Sequence, residues 1–191
     1  ATHADADHIQ GLTDVARNFS IGLAVFGRMP TNDPDLVELA GVLKRRRIRS
    51  ELIERGDQFT FGNAVVDVLY PKGSNDVDAV SDNNNSVVLR IVYGGRSFLL
   101  TGDIEAAAEK DLTNGGTILK ADVVKVPHHG SPTSSTAPFV DAAVPKYAVI
   151  SVGRRSPFGH PHIEVVERWK ASGSKVITTG QRGTVSFSTD G

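Results

Sequence analysis

Residues 3–8 read HADADH, and this short segment bears most directly on the fold. It places two histidines and two aspartates within six positions, directly before an apolar pattern that predicts a helix. His3 and Asp5 are two residues apart, so on an extended segment their side chains point the same way. Asp7 and His8 follow, and their side chains can face the position of a second ion. The segment therefore predicts half of a metal site, and distant parts of the chain must provide the rest.

Two other short motifs contain the remaining histidines, and a third contains an aspartate. VPHHGS holds His128 and His129, and FGHPH holds His160 and His162. Each of these motifs ends an apolar run or lies in a Gly/Pro turn, where loop-borne sites are commonly built. Asp103 follows the apolar run RSFLL, and the two oxygens of its carboxylate can bridge two ions. Together the motifs predict two divalent ions that activate a water for a displacement reaction.

Composition limits both the domain count and the ligand types. At 191 residues, with 39% hydrophobic and 23% charged residues, the chain predicts a single globular domain over residues 1–191. No apolar run approaches the roughly 20 residues that span a bilayer. The chain has no cysteine, so a metal must be bound by imidazole and carboxylate groups. The abundance of carboxylates favours Mn²⁺, with Zn²⁺ as the alternative.

The chain between these motifs alternates apolar runs with helical patterns, which predicts an α/β layered domain. Asp33 and Pro34 have the residue types of a helix N-cap and first helical position. SVVLRIVYGGRSFLLTG predicts a β-hairpin around Gly94-Gly95. VITTG and GTVSFST predict a final strand pair.

Each acidic motif also has a purely structural interpretation. Acidic residues near a helix N-terminus are commonly caps or dipole partners, which would account for Asp5, Asp7 or Asp103 taken singly. A His-Pro-His turn is commonly a solvated loop. Four such motifs in one chain are not explained in this way, so the metal site is the preferred interpretation.

Basic residues do not favour nucleic acid at the level of the whole chain, because 21 basic and 22 acidic residues leave a net charge of −1. The run KRRRIR, Lys44–Arg49, follows a helical pattern and is interpreted as a solvated helix end. Arg154 and Arg155 precede His160 by five or six residues and are better placed to bind phosphates. No aromatic series accompanies them, so base stacking is not predicted.

The order of the motifs His-x-Asp-x-Asp-His, TGD, VPHHGS and GHPH resembles the metallo-β-lactamase-fold domain of the ComEC family, the DNA-uptake channel proteins of competent bacteria. Stretches such as SDNNNSVVLR and YAVISVGRRSPFGHPHIEV extend the resemblance over nearly the whole chain. It implies an αβ/βα sandwich of two mixed sheets flanked by helices, with metals at one edge. In that family a strand-rich segment precedes the first motif, so the chain is expected to be a fragment, incomplete at its N-terminus, of a longer protein.

The resemblance also implies a set of ligands for two divalent ions. By this resemblance the metal ligands are His3, Asp5, Asp7, His8, Asp103 and His160. His160 is preferred to His162 because relatives place this ligand a few residues before a Glu that opens the next helix, as Glu164 does here. The superfamily has a further His just before the strand SVVLR, where this chain has Asn83, Asn84 and Asn85. An amide binds metal less well than imidazole, so one ion is expected to bind weakly or not at all.

Catalytic and substrate-binding candidates flank these ligands. Asp7, His128 and His129 are the catalytic candidates, and one of the two histidines either protonates the leaving alkoxide or binds a metal. Hydroxyls and backbone N–H groups after VPHHGS suit a phosphate oxygen. The candidates for binding the substrate are Ser131, Ser134, Arg154, Arg155 and His162.

The function implied by the resemblance is a metal-dependent nuclease that degrades DNA during uptake. Its implied partners are DNA and the membrane-channel portion of a membrane-anchored parent protein, with this domain on the extracytoplasmic side. One alternative is a hydrolase of a small phosphate ester or another small substrate. Another is a non-catalytic domain that binds DNA or a protein partner.

Overall fold

The computed structural model describes residues 1–30, 32–73 and 82–190, apart from the side chain of residue 82. The helices are α1 (Ala6–Asn18), α2 (Pro34–Arg46), α3 (Ala106–Asn114), α4 (Ala137–Ala143), α5 (Ile163–Ala171) and α6 (Thr179–Arg182). The strands are β1 (Leu23–Phe26), β2 (Arg49–Leu52), β3 (Gln58–Phe61), β4 (Ala64–Tyr70), β5 (Val88–Tyr93), β6 (Arg96–Leu100), β7 (Val123–Lys125), β8 (Tyr147–Ile150) and β9 (Lys175–Thr178). Short 3₁₀ turns occur at Asp82–Asn85 and Pro127–Gly130.

Seven of these strands form one mixed sheet in the order β3-β4-β5-β6-β7-β8-β9. Strands β3 to β6 pair antiparallel, and β6 to β9 pair parallel. The predicted hairpin is present, since Tyr93 pairs with Arg96 across Gly94-Gly95. Of the two mixed sheets that the resemblance implies, this is one. In the described residues the other consists of the parallel pair β1-β2.

The hydrophobic core lies mainly between the mixed sheet and helices α3, α4 and α5. Leu99 and Val124 of the central strands are fully buried there, as are Phe139 of α4 and Trp169 of α5. Burial of each such side chain contributes about 1.5–3 kcal/mol to stability. A second cluster packs Ile9 of α1 against α2 and strand β1. These two cores hold α1 and the mixed sheet firmly enough to position side chains at their ends.

The parallel strands β6, β7 and β8 determine where the loops meet. Because parallel strands run in the same direction, their carboxyl ends lie at one edge of the sheet, and Leu100 is in register with Lys125. The loops that follow these strands contain Asp103, His128–His129 and Arg154–His160. Ligand sites in open α/β sheets form at this edge. The topology therefore brings three of the sequence motifs together.

Helix α2 begins as predicted, because the Oδ1 atom of Asp33 accepts a hydrogen bond from the backbone N–H of Leu36 at 2.9 Å. The predicted final strand pair is wrong in its second member, since residues 184–190 form no strand. After β9 the hydroxyl of Thr179 bonds to both the N–H and the carbonyl of Val152, which draws the chain into α6. Among the described residues, no helix has the length and apolar character needed to cross a membrane.

Candidate metal centre

Five ligand-type side chains converge at this edge: His3, Asp7, His8, Asp103 and His129. They form two groups whose ligand atoms lie within 4.8 Å of one another, namely His3/His8/Asp103 and Asp7/His8/His129. The Nε2 atom of His8 lies 3.2 Å from Oδ2 of Asp103 and 3.3 Å from Nε2 of His129. The two groups together comprise five residues, with His8 in both, so they define two adjacent positions at which an ion could be bound.

The first motif is held in place by backbone hydrogen bonds on both sides. The carbonyl of Thr2 accepts from the N–H of Val87 at 3.1 Å, and α1 begins directly after Asp5. The carboxylate of Asp5 makes no capping hydrogen bond, and its Oδ2 atom lies 3.6 Å from Nε2 of His3. Asp7 lies in the first turn, with Oδ2 3.2 Å from Nε2 of His129. Both carboxylates face histidines of the centre, so capping does not account for them.

Asp103 lies at the middle of the centre and is 2% exposed. It follows Gly102, whose φ of +54° makes the sharp turn after β6, and the N-cap of α3 is Glu105 instead. Its Oδ2 atom is 3.1 Å from Nε2 of His129, and its Oδ1 atom accepts from Nζ of Lys125 at 3.1 Å. Burial by itself would raise the pKa of Asp103. Hydrogen bonds from His129 and His8 and the charge of Lys125 outweigh burial and hold the pKa well below its usual range, so the carboxylate is ionised.

The two histidines of VPHHGS occupy an unusual backbone conformation. His128 and His129 have φ values of +48° and +53°, a left-handed region that costs about 1–2 kcal/mol for a residue with a Cβ. The Nδ1 atom of His129 lies 2.6 Å from the carbonyl oxygen of Ser151, so it donates there and leaves Nε2 directed at the centre. The hydrogen bond to Asp103 raises the pKa of His129 above its ordinary value.

His3 provides a test of whether the centre fits a metal. Its ring is 1% exposed, and Nδ1 lies 3.0 Å from Oγ1 of Thr2 and 3.1 Å from Oγ of Ser86. Its Nε2 atom is buried and has no hydrogen-bond partner among the described residues. Burial, followed by the nearby charge of His8, lowers the pKa of His3 and keeps the ring neutral. A neutral imidazole with a buried, unpartnered nitrogen is suited to binding a divalent ion.

His128 is directed away from this cluster, although it adjoins His129. Its Nδ1 atom lies 3.3 Å from Oε1 of Glu105, which also accepts from the hydroxyl of Thr133 at 2.8 Å. The amide of Asn84 donates to the other oxygen of Glu105 at 3.3 Å. The two histidines that the sequence could not distinguish therefore have different environments.

His160 and His162 lie at the rim. His160 lines the same cavity, and its ring centroid is 5.8 Å from that of His128, outside the two ligand groups. Burial, followed by the charge of His128, lowers its pKa. His162 immediately precedes α5, and its Nδ1 atom is 3.5 Å from Oε1 of Glu164.

The predicted substrate-binding residues separate into two sets. Ser131 and Ser134 are buried, and the hydroxyl of Ser134 donates within the loop to the carbonyl of Pro127 at 3.1 Å. Arg155 lines the cavity of the centre, and Arg154 is exposed beside it. The basic run contributes to stability elsewhere, because Arg46 donates to carbonyls at the end of α1, including that of Ala16 at 2.6 Å.

Three residues around the centre were not predicted from the sequence. Asn84 caps α3, with its Oδ1 atom accepting from the N–H groups of Glu105 and Ala108. Ser86 bridges His3 and Asp103, and Lys125 pairs with Asp103. Lys125 had a visible signal, because it is the one charged residue in the apolar run VVKV. Asn84 and Ser86 had none, because their partners are distant in the chain.

Residues 65–154, just under half of the chain, match the metallo-beta-lactamase superfamily. The chain also resembles competence proteins of the ComEC family. It is 32% identical over 186 residues to ComE operon protein 3 of Bacillus subtilis, covering 97% of this chain and 24% of the relative. It is also 32% identical over 188 residues to competence protein ComA of Neisseria gonorrhoeae, with the same coverage of 97% and 24%.

The fold is also similar to that of solved structures. The solved structure of Zn²⁺-bound PqqB from Methylobacterium extorquens matches with a TM-score of 0.53 at 14% identity, over 93% of this chain and 69% of that one. The α/β metallo-β-lactamase fold and the resemblance to the ComEC family are thus confirmed. The chain spans about a quarter of the length of the two competence proteins, since it covers 24% of each. The metallo-β-lactamase fold implies divalent-metal binding and, together with the ComEC-family relatives, supports a metal-dependent hydrolase.

Proposed function

We propose that this domain is a metal-dependent phosphodiesterase that cleaves DNA. The main support is the convergence of His3, His8 and Asp103, which come from distant segments, together with the buried Nε2 atom of His3, which has no hydrogen-bond partner. Buried polar atoms without a partner are rare in proteins, and a metal ligand is one of the few roles that explains them. Imidazole and carboxylate donors together suit Mn²⁺ or Zn²⁺.

In this proposal two divalent ions are bound by residues of both halves of the centre. The proposed ligands are His3, Asp5, Asp7, His8, Asp103 and His129, with His160 as a further ligand at the rim. Bound ions of this kind supply a nucleophile from water at neutral pH and offset charge on the phosphoryl oxygens. His129 adds an imidazole to the ligand set implied by the sequence resemblance.

His128 has the proposed role of a general acid. Its Nδ1 atom faces Glu105, and this carboxylate orients the ring. The Nε2 atom is then the nitrogen that holds a proton for the leaving oxygen of the phosphodiester. Thr133 supports the arrangement by donating its hydroxyl to Glu105.

DNA is proposed as the substrate because the relatives include a protein named competence protein ComA, and because Arg155 lines the cavity beside exposed Arg154. Cations at that position neutralise the phosphates on either side of the scissile bond. The proposed partner is the membrane-channel portion of a longer, membrane-anchored parent protein, with this domain on the extracytoplasmic side.

Metal content and DNA cleavage, measured side by side, test the proposal. Plasma mass spectrometry should find two ions per native chain and fewer in Asp103→Ala, and oligonucleotide cleavage should be lost in that variant. Asp141→Ala is the matched control, because Asp141 is exposed on α4 and should leave both readouts unchanged. No bound Mn²⁺ or Zn²⁺ in the native chain, or full cleavage by Asp103→Ala, would contradict the proposal. Cleavage of a chromogenic monoester but not of an oligonucleotide would favour a small-ester hydrolase instead.

A further inference from the structure

Phe158 is an exposed aromatic residue at the mouth of the metal centre. Its side chain is 76% exposed, and it lines a cavity of about 770 Å³ that also contains Asp7, Asp103 and Arg155. Other exposed phenylalanines of the described residues, such as Phe61 on β3, do not line this cavity. An exposed ring is common on a protein surface. An exposed ring beside a cluster of metal-binding groups calls for a functional explanation.

The turn that carries Phe158 is held by its own hydrogen bonds. The hydroxyl oxygen of Ser156 accepts from the backbone N–H of Phe158 at 3.3 Å and from that of His160 at 3.2 Å. The N–H of Gly159 bonds to the carbonyl of Ser156 at 3.2 Å, which closes the turn. These hydrogen bonds fix the backbone of the turn, so binding of a ligand does not have to order it.

The ring of Phe158 stacks on His160. Their centroids are 6.0 Å apart and their planes are inclined by 29°, so the two rings are nearly parallel and offset. The imidazole supports one side of the phenyl ring, and the high exposure of Phe158 leaves the remaining surface open to solvent. A flat, supported aromatic surface of this kind suits another planar ring, because offset stacking is the preferred arrangement of aromatic pairs.

The neighbouring groups indicate which planar ring would bind. Arg155 lies three positions before Phe158 and lines the same cavity, so a cation for a phosphate and a surface for an aromatic ring are close together. The acidic and imidazole groups of the centre lie in the same cavity. A nucleotide combines a phosphate with a planar base, and it matches both features at once.

We propose that Phe158 is the stacking platform for an unpaired base next to the phosphodiester bond that is cleaved, so that the domain prefers single-stranded DNA to duplex. This inference rests on the proposed nuclease function and adds the strand specificity of the same site. A base within a duplex is covered on both faces by its neighbours, so it reaches Phe158 only after unpairing and unstacking. An unpaired base stacks on an aromatic side chain regardless of its identity.

Binding of DNA, measured apart from cleavage, tests the platform. We would titrate the chain with a short single strand and with the matching duplex, once with chelator and once with Ca²⁺ supplied, following fluorescence anisotropy. A 2-aminopurine base in the single strand would report stacking directly. Phe158→Leu should bind the single strand roughly 5- to 150-fold more weakly, the range that corresponds to loss of one base–aromatic stack. Phe158→Trp should bind at least as tightly as the native chain.

The control is Phe61→Leu, because Phe61 is equally exposed but lies on the edge strand β3 outside the cavity. Phe61→Leu should change neither the affinity for the single strand nor the 2-aminopurine signal. The affinity for duplex should be the same in the native chain, Phe158→Leu, Phe158→Trp and Phe61→Leu. The proposed stacking role of Phe158 would be contradicted if Phe158→Leu bound the single strand with the native affinity. It would also be contradicted if the native chain bound no single strand.

The outcomes also separate this inference from the function on which it rests. Equal cleavage of single strand and duplex by both the native chain and Phe158→Leu would overturn the platform while supporting the nuclease. Binding that depends on Phe158, in a chain that cleaves no DNA with Mn²⁺ or Zn²⁺, would support the platform and overturn the nuclease.

Discussion

The Oγ atom of Ser86 lies 3.1 Å from the Nδ1 atom of His3. The same hydroxyl oxygen accepts a hydrogen bond from the backbone N–H of Asp103 at 3.0 Å. Ser86 is fully buried, so water does not replace either contact. One hydroxyl therefore sets the orientation of the His3 ring, with Nε2 toward the centre, and the position of the Asp103 backbone.

Replacing Ser86 by Ala should lower metal affinity without removing a ligand. Loss of a group that orients a metal-binding side chain typically reduces affinity about 10- to 100-fold. Calorimetric titration of the metal-free chain with Mn²⁺ and Zn²⁺ would measure the change. Ser50→Ala, at an exposed position on β2, is the control and should titrate like the native chain. Native affinity in Ser86→Ala would show that the bridge does not position His3.

Gly102 should not tolerate a side chain. Its φ is +54°, and a Cβ there would lie 2.6 Å from Cβ of Ser86. Both the backbone strain and the steric overlap disfavour Gly102→Ala, and we expect a loss of about 1–3 kcal/mol in the free energy of unfolding. Urea unfolding would measure it. Gly95→Ala is the matched control, since a Cβ there meets no atom within 4 Å and the backbone is not left-handed. Equal midpoints for the two variants would refute this explanation.

Glu109 stabilises the loop that follows VPHHGS. This buried carboxylate accepts the backbone N–H groups of Ser135 at 2.5 Å and Thr136 at 2.7 Å. Glu109→Ala leaves the buried N–H of Ser135 and the partly buried N–H of Thr136 without this acceptor, so we expect the free energy of unfolding to fall by about 2–4 kcal/mol. The control is Glu167→Ala, because Glu167 is exposed and its pair with Lys170 contributes little. A loss below that of the control would contradict this role.

The stability difference between the native chain and Glu109→Ala should depend on pH. Burial is the largest influence on Glu109 and raises its pKa above the ordinary value of 4.5, despite the hydrogen bonds that lower it. The unfolded chain therefore releases this proton at a lower pH than the folded chain does. The contribution of Glu109 to the free energy of unfolding is therefore complete below pH 4.5 and is lost as the pH rises through the higher pKa of the folded chain. The difference in this free energy between the native chain and Glu109→Ala should narrow as the pH rises. Urea midpoints across this range would measure it, and a difference that widens with pH would contradict the prediction.

Arg155 should contribute one phosphate contact to DNA binding. Arg155→Ala should weaken binding at low salt and reduce the slope of log affinity against log salt concentration by about 1, because one fewer counterion is released. Anisotropy titrations at several salt concentrations would give the slope. Arg45→Ala, at an exposed position on α2, is the control and should keep the native slope. An unchanged slope in Arg155→Ala would remove this residue from the DNA-binding surface.

Much of the fold followed from local pattern. The Asp33 cap, the hairpin at Gly94-Gly95 and the alternation of strands with helices were all predictable, because hydrogen bonding and burial within a few residues determine them. The last predicted strand failed for the opposite reason. GTVSFST has a strand-like pattern, but in the described residues the sheet ends at β9, and strand pairing depends on contacts between segments that are distant in sequence.

The sequence by itself determined the kinds of donor available and their order along the chain, since residue type fixes ligand chemistry. Only the tertiary structure decided which donors meet. Parallel strands β6, β7 and β8 end at one edge of the sheet, and this brings Asp103 and His129 within 3.1 Å of each other. The left-handed backbone of two adjacent histidines sends His129 into the centre and His128 toward Glu105. No local pattern encodes such a separation, because the packed structure around these residues stabilises the strained conformation.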